Sequence, residues 1–392
     1  MPEAALSATS GVAELDRALG GLYWGDNVVW EVEERAAVEP FYAAVAETAA
    51  DYHFAGYVLL RGDPDDVAAQ YPSLHVIDAR PTGDFGQPGP LLTEIRRRCD
   101  PLERDLLLFD PLDAMASQWG AETAVRFFTR TCPLLLEFGA VAYWLLSPSA
   151  HAQAARREIE EVTQCVVAIG DGRLRIVKAE ARPAGVEGSV FRYSVVGGKP
   201  ELTVAPAAAR LGAALRSVRL TRGLSQSEVA RLAGVSPSAV SQAERGQRGL
   251  SLETLLELSG KLNLTLDELL RGEVAPGYRL GRRHDPHERA EGRVLPLLDD
   301  PAAGIRAFVV RIPPGASASP PSGHKGTELV AVGSGLVQVS MGSGRSVLRS
   351  GETLLAERTG VTGWRNLSDR EAMVFWILRD ELGGPAVSNS RV

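Results

Sequence analysis

LSQSEVARLAGVSPSAVSQAERG, residues 224–246, is legible from local chemistry alone, and its reading sets how the rest of the chain divides. Ser225 followed three residues later by Glu228 is a capping box, in which hydroxyl and carboxylate satisfy each other's free backbone N–H groups. It opens a helix that runs through Ala233. Gly234 ends that helix, supplying the positive φ that a tight inter-helix turn requires. Ser236 caps the next helix, and Pro237 sits in its first turn, where a missing N–H costs nothing. Helix, glycine turn, helix is the helix-turn-helix unit.

Working outward, 392 residues are too many for one ordinary core and predict two or three domains. Upstream, NVVWEV, GYVLL, LHVID, DLLLFD, AVAYWLL, CVVAIG and LRIVKA alternate with helix-like stretches such as PFYAAVAETAADYH. That alternation predicts an α/β domain with a mostly parallel sheet over residues 1–203. KPELTVAPAAAR reads as a Pro/Ala-rich join. Residues 207–272 have no strand pattern and predict an all-α domain. A polar connector, RGEVAPGYRLGRRHDPHERAEGR, leads to IRAFVVRI, TELVAVG, GLVQVSM and MVFWILR, short strands that predict a small antiparallel barrel or sandwich over 285–385. The expected class is therefore multidomain, in the order α/β, all-α, all-β.

Composition is that of a globular protein, with 45% apolar and 23% charged residues. MPEAALSATS lacks the basic and apolar segments of a secretory signal. CPLLLEFGAVAYWLL, interrupted by Pro133, Glu137 and Gly139, reads as a helix end followed by a buried strand and is too short to span a bilayer. Cys99, Cys132 and Cys165 form no CxxC pair and read as core residues of a reducing compartment. The expectation is a soluble, cytoplasmic chain with no membrane contact. The net charge of −7 excludes a histone-like binder. Between 211 and 272, however, eight Lys/Arg face six Asp/Glu, so this segment is slightly basic within an acidic chain.

Over 211–272 the sequence closely resembles the Cro/repressor-type (XRE) helix-turn-helix family, through residues 224–246, Leu255, Leu256 and the closing LTLDELL. The resemblance implies double-stranded DNA as partner. It assigns Gln226 to a backbone phosphate, Ser236, Ser238 and Gln242 to base edges, and Arg219 with Glu244 to a buried ion pair. Hydroxyl and amide groups at an exposed helix N-terminus suit base edges and phosphates. Arg245 and Arg248, just past the second helix, are placed for phosphates. One such unit makes few contacts, so a homodimer or higher homo-oligomer reading two half-sites is expected.

PPGASASPPSGHKGTELVAVGSG and SGETLLAERTGVTGWRN resemble the two motifs of the cupin family, small β-barrels often fused behind this kind of helix-turn-helix. The resemblance places Ser322, His324, Glu328 and Thr362 where metal-binding cupins have three histidines and a glutamate. Two of four ligands are missing, which leaves a metal under-coordinated unless His284 and His287 complete a site. His324 and Glu328 are then polar residues of a pocket for a small-molecule effector, or the barrel serves for dimerisation.

ATSGVAELDRALGGLYWGDNVVWEV resembles the opening of RecA/KaiC-type ATPase domains, and the likeness continues in GYVLLRGDPDD, in RDLLLFDPLDAM ending its strand at Asp110, and in GRLRIVKAEARP. A phosphate-binding loop needs glycines, a lysine and a hydroxyl residue. Here Val32, Glu33, Glu34, Arg35, Ala36, Ala37, Val38, Glu39 and Pro40 stand in that place, with Arg61 and Gly62 for the catalytic glutamates. Three carboxylates repel a triphosphate, so residues 32–40 are expected to form a loop or helix start without phosphate, in a pseudo-ATPase used for assembly.

These readings converge on a DNA-binding transcriptional regulator, by default a repressor, that is not an enzyme and needs no cofactor. The competing readings are a metal-dependent cupin enzyme with a vestigial helix-turn-helix, and a protein-interaction scaffold.

Overall fold

The computed structural model describes residues 8–182, 186–271, 280–281, 294–300, 303–321, 324, 326–342, 344–357 and 360–380. They fall into two compact units, one holding the α/β and helical parts and one the β-rich part. No helix among the described residues is long and apolar enough to cross a membrane.

The first unit begins with α1 (Ala13–Leu19), β1 (Asn27–Val32), α2 (Glu39–Glu47), β2 (Phe54–Leu59), α3 (Pro64–Gln70) and β3 (His75–Asp78). It continues through α4 (Pro88–Arg98), β4 (Asp105–Phe109), α5 (Leu112–Trp119), α6 (Ala121–Phe138), β5 (Val141–Leu146), α7 (Gln153–Val162) and β6 (Cys165–Gly170). These six strands run parallel in the order β3-β2-β4-β5-β1-β6. Every residue of β1, β2, β4 and β5 is buried, as a parallel sheet covered on both faces requires. Alternate residues serve the two faces: Val28, Trp30 and Val32 pack with Leu15, Phe41 and Val45, while Val29 packs with Leu91, Met115 and Phe128.

The sheet does not stop at β6. β7 (Arg173–Ala179), β8 (Val190–Val196) and β9 (Lys199–Val204) extend it antiparallel to nine strands. The Pro/Ala-rich join expected at KPELTVAPAAAR is thus corrected, because its first half is strand β9. The two residues that turn the chain from β8 into β9, Gly197 and Gly198, have φ of 59° and 82°, the positive values a tight two-residue hairpin demands. Only Ala205 and Pro206 then separate the sheet from the helices.

The helices are α8 (Ala207–Thr221), α9 (Gln226–Ala233), α10 (Pro237–Glu244), α11 (Leu252–Leu262) and α12 (Leu266–Arg271). They bury Leu215, Val218, Val229, Val240, Leu255, Leu258 and Leu269 in one small core.

The second unit is all antiparallel. β10 (Val294–Asp300), β11 (Ile305–Ile312), β18 (Ala372–Asp380), β13 (Gly326–Ser334) and β16 (Thr353–Ala356) make one sheet in that spatial order. β12 (Ser317–Ala318), β17 (Val361–Asn366), β14 (Leu336–Met341) and β15 (Gly344–Arg349) make the other. Inward residues of both, among them Val330, Val339, Trp364 and Trp376, close a shared core.

Candidate nucleic-acid interface

The capping chemistry read from the sequence is present atom for atom. Ser225 Oγ accepts from Glu228 N at 3.2 Å, and the Glu228 carboxylate accepts from Ser225 N at 2.7 Å. Gly234 closes α9 with φ of 66°, and Ser236 Oγ accepts from Ala239 N at 3.2 Å to start α10.

A buried polar network then fixes α10 against the other helices. Arg219 of α8 donates through Nε and Nη2 to the two oxygens of Glu244, at 2.6 and 3.0 Å. Its Nη1 donates to the Leu224 carbonyl at 3.1 Å, and Gln226 Nε2 donates to Glu244 Oε2 at 2.9 Å. A bidentate guanidinium–carboxylate pair sets both distance and orientation. Gln226, the residue assigned to a phosphate, therefore spends one amide hydrogen on Glu244 and keeps a second for an outside acceptor. At Gly212, where α8 passes the end of α10, a Cβ would lie 2.1 Å from the Ala243 carbonyl oxygen and 2.9 Å from that of Glu244. Gly212→Ala is expected to push the two helices apart, costing about 1–3 kcal/mol or more, seen as lost amide-exchange protection in α8 and α10.

On the outer side, Ser236 and Ser238 are exposed, with their hydroxyls 2.9 Å apart. Gln242 is half-buried, and its side-chain amide makes no hydrogen bond among the described residues. Arg245 and Arg248 are exposed, and neither has an ion-pair partner among the described residues; Arg245 Nε donates only to the Ser241 carbonyl, at 3.2 Å. The structure thus brings together two hydroxyls, an amide and two unpaired guanidinium groups along and just beyond one short helix.

One participant was not foreseen. Arg173 of β7 donates through Nη2 to the Arg245 carbonyl at 3.1 Å. The helix-turn-helix pattern carries no hint of it. The strand that delivers it, β7, shows in the sequence as the apolar run LRIVKA, but nothing local marks the contact that its first residue makes.

The other predicted sites are placed as follows. Asp110 is fully buried at the end of β4. Its Oδ1 accepts from Arg35 Nη1 at 3.1 Å and from Tyr57 OH at 2.7 Å; its Oδ2 accepts from the Leu60 and Arg61 backbone N–H groups at 2.8 and 2.9 Å. Arg35 Nη2 also donates to the Tyr57 hydroxyl at 2.7 Å. Burial, together with the Asp110 charge, pushes the Tyr57 phenol well up, so it remains a donor. Arg35 belongs to a 3-10 turn, Arg35–Ala37, between β1 and α2. Glu33 of the same loop accepts from the Ser149 and Ser147 hydroxyls at 2.6 and 2.8 Å, bonds that lower its pKa.

In the β-rich unit Glu328 is fully buried, its Oε2 accepting from Trp376 Nε1 at 2.9 Å and Val361 N at 3.1 Å. Its Oε1 has no hydrogen-bond partner among the described residues. The His324 ring turns elsewhere, to Arg306 Nη2 at 3.3 Å, the Arg379 carbonyl at 3.2 Å and Asp380 at 3.6 Å. The structure therefore does not join these two side chains as one polar pair. Thr362 donates to the Ser340 carbonyl at 3.1 Å. Ser322, His284 and His287 lie outside the described residues, among which no group of three His, Cys, Asp or Glu side chains is placed to hold a metal.

Comparison with known proteins matches residues 215–269 to the helix-turn-helix family and residues 308–378 to the cupin domain family. The chain carries both domains. No curated protein matches it. Among solved structures, an HTH_3 family transcriptional regulator from Vibrio cholerae is similar at 18% identity over 44% of this chain and 97% of its own, with a TM-score of 0.20. The cupin domain of an XRE family transcriptional regulator from Enterobacter cloacae is 21% identical over 23% of this chain and 96% of its own, with a TM-score of 0.21. Hydroxypropylphosphonic acid epoxidase from S. wedmorenis is 18% identical over 44% and 97%, with a TM-score of 0.19.

Proposed function

We propose that the chain is a sequence-specific DNA-binding transcriptional regulator whose helix α10 enters the major groove, acting as a homodimer or higher homo-oligomer and repressing by occlusion of a promoter. The observation that carries this reading is the exposed start of α10, Ser236 and Ser238, followed by the unpaired Arg245 and Arg248, on a helix held rigid by Arg219, Glu244 and Gln226. The combination of a helix-turn-helix with a cupin domain fits such a regulator.

The α/β domain is a RecA/KaiC-like assembly module without nucleotide. Support comes from the loop after β1: its Arg35 guanidinium already sits on Asp110, and all four hydrogen bonds to that carboxylate are internal. The barrel takes a small-molecule effector or dimerises, and we assign it no catalysis. The effector role is favoured by Glu328 Oε1, since a buried oxygen without a donor costs about 1–3 kcal/mol and a ligand N–H or O–H would offset that cost.

Footprinting on the DNA flanking the protein's own gene tests the reading. Salt-sensitive protection at low ionic strength is expected, and its absence sinks the proposal. Arg245→Ala is expected to reduce the slope of log affinity against log salt by about 1, the signature of one lost phosphate contact.

A further inference from the structure

The antiparallel extension of the sheet has a face that the assembly role leaves unused. Along β7 and β8, Leu174, Ile176 and Phe191 point into the core, so Arg173, Arg175, Val190 and Arg192 point the other way. Arg173 stands directly opposite Arg192, and Arg175 opposite Val190. Val190 packs with Ala205 and with Ala209 of α8, which clamps this face of the hairpin against the helical domain. Burial, more than repulsion from Arg216 of α8, disfavours the charge on Arg175, and Glu31 supports it. Arg173 in turn reaches the Arg245 carbonyl.

Directly opposed like charges are about 5 Å apart at Cβ and repel. Neither Arg173 nor Arg192 has an ion-pair partner among the described residues, and Arg192 is exposed. A pair of unneutralised guanidinium groups is matched by an anion. It is tied to the Arg245 end of α10 by the bond from Arg173 to the Arg245 carbonyl. The anion that fits this pair together with the exposed Arg245 and Arg248 is a polyanion with regularly spaced charges.

We propose that Arg173 and Arg192 of the α/β domain contact the DNA backbone beside the site read by α10, so that the sheet extension is a second phosphate-binding element of the same interface. This rests on the DNA-binding reading and enlarges its footprint. The α/β domain then contributes to affinity directly, through charge, as well as through assembly.

The test measures the salt dependence of binding of the full chain to a random-sequence duplex of about 40 base pairs, at several salt concentrations. Arg173→Gln with Arg192→Gln is expected to lower the slope of log affinity against log salt by about 2, roughly 0.9 for each phosphate released. Arg173→Lys with Arg192→Lys keeps both charges and is expected to restore the slope. Arg126→Gln, on α6, is expected to leave it unchanged, and an equal fall there reduces the effect to bulk charge and overturns the proposal. Circular dichroism checks that the glutamine pair is folded; if it is not, the charge reversal Arg192→Glu alone must reduce the slope. If the unaltered chain binds with salt dependence, and Arg245→Ala weakens it while the glutamine pair does not, the sheet contact is wrong and the DNA-binding reading stands. If the unaltered chain shows no salt-dependent binding, both fall.

Discussion

Glu244→Ala is expected to remove about 3–5 kcal/mol from the helical domain, the loss typical of leaving one member of a buried ion pair without its partner. The Arg219 and Glu244 side chains are 13% and 4% exposed, and with Glu244 gone the guanidinium would keep only the Leu224 carbonyl. Gln226 would lose its internal acceptor in the same step. Residues 207–271 contain no tryptophan, so the loss is to be read by amide exchange in α8–α10 rather than by fluorescence. DNA binding should disappear with it, although Glu244 faces inward. Arg219→Met combined with Glu244→Leu should recover most of the stability, because apolar pairs of similar volume replace buried ion pairs at little cost. A change in exchange below about 1 kcal/mol in the single variant would place the pair among surface salt bridges and remove its structural role.

Asp110→Ala is the second large effect, about 2–5 kcal/mol from the donors it leaves without an acceptor in the α/β sheet. Alanine leaves the buried Leu60 N–H and the part-buried Arg61 N–H without their acceptor, and Arg35 without the Asp110 carboxylate. Asp110→Asn should be only partly better, since one end of the amide presents hydrogens to groups that themselves donate. Urea unfolding followed by tryptophan fluorescence measures both, because Trp30 and Trp144 lie in the same sheet. The contrast is with a nucleotide-binding aspartate, whose removal alters ligand affinity and leaves the free protein intact. Magnesium and ATP are expected to leave the unfolding curve of the unaltered chain in place, whereas a ligand at 100 times its Kd would add about 2.7 kcal/mol.

Legibility followed the range of the interactions. Caps at Ser225 and Ser236 and the turn at Gly234 depend on residues three or four apart, so local sequence was sufficient. The buried parallel strands were visible as apolar runs. KPELTV reads as part of a join, and VFRYSVV carries no strand reading, because both are half polar, as strands with one open face must be; the Gly-Gly between them is the signal that marks the hairpin. That the loop after β1 lacks glycine and lysine is plain in the sequence, but what fills it is not legible there. Arg35 and Asp110 lie 75 residues apart, and nothing local marks them as partners. His324 and Glu328 are neighbours in a motif but turn to different partners, since Arg306 and Asp380 from other strands orient the ring, and no local pattern shows that. Arg173 was read only as part of a strand, since its meaning depends on a contact made after the sheet and helices meet.

The joint between Val204 and Ala207 is two residues long, and one of them, Ala205, is buried. Together with the Val190–Ala209 clamp and the Arg173–Arg245 bond, it ties the α8–α12 helices to the sheet. In any symmetric assembly made through the α/β domain, the distance and angle between two copies of α10 would be inherited from that assembly like marks on a ruler. Operator half-site spacing would then be encoded in the sheet. Lengthening the joint with a few glycines would blur the permitted spacing, while leaving each half-site's sequence preference as it was.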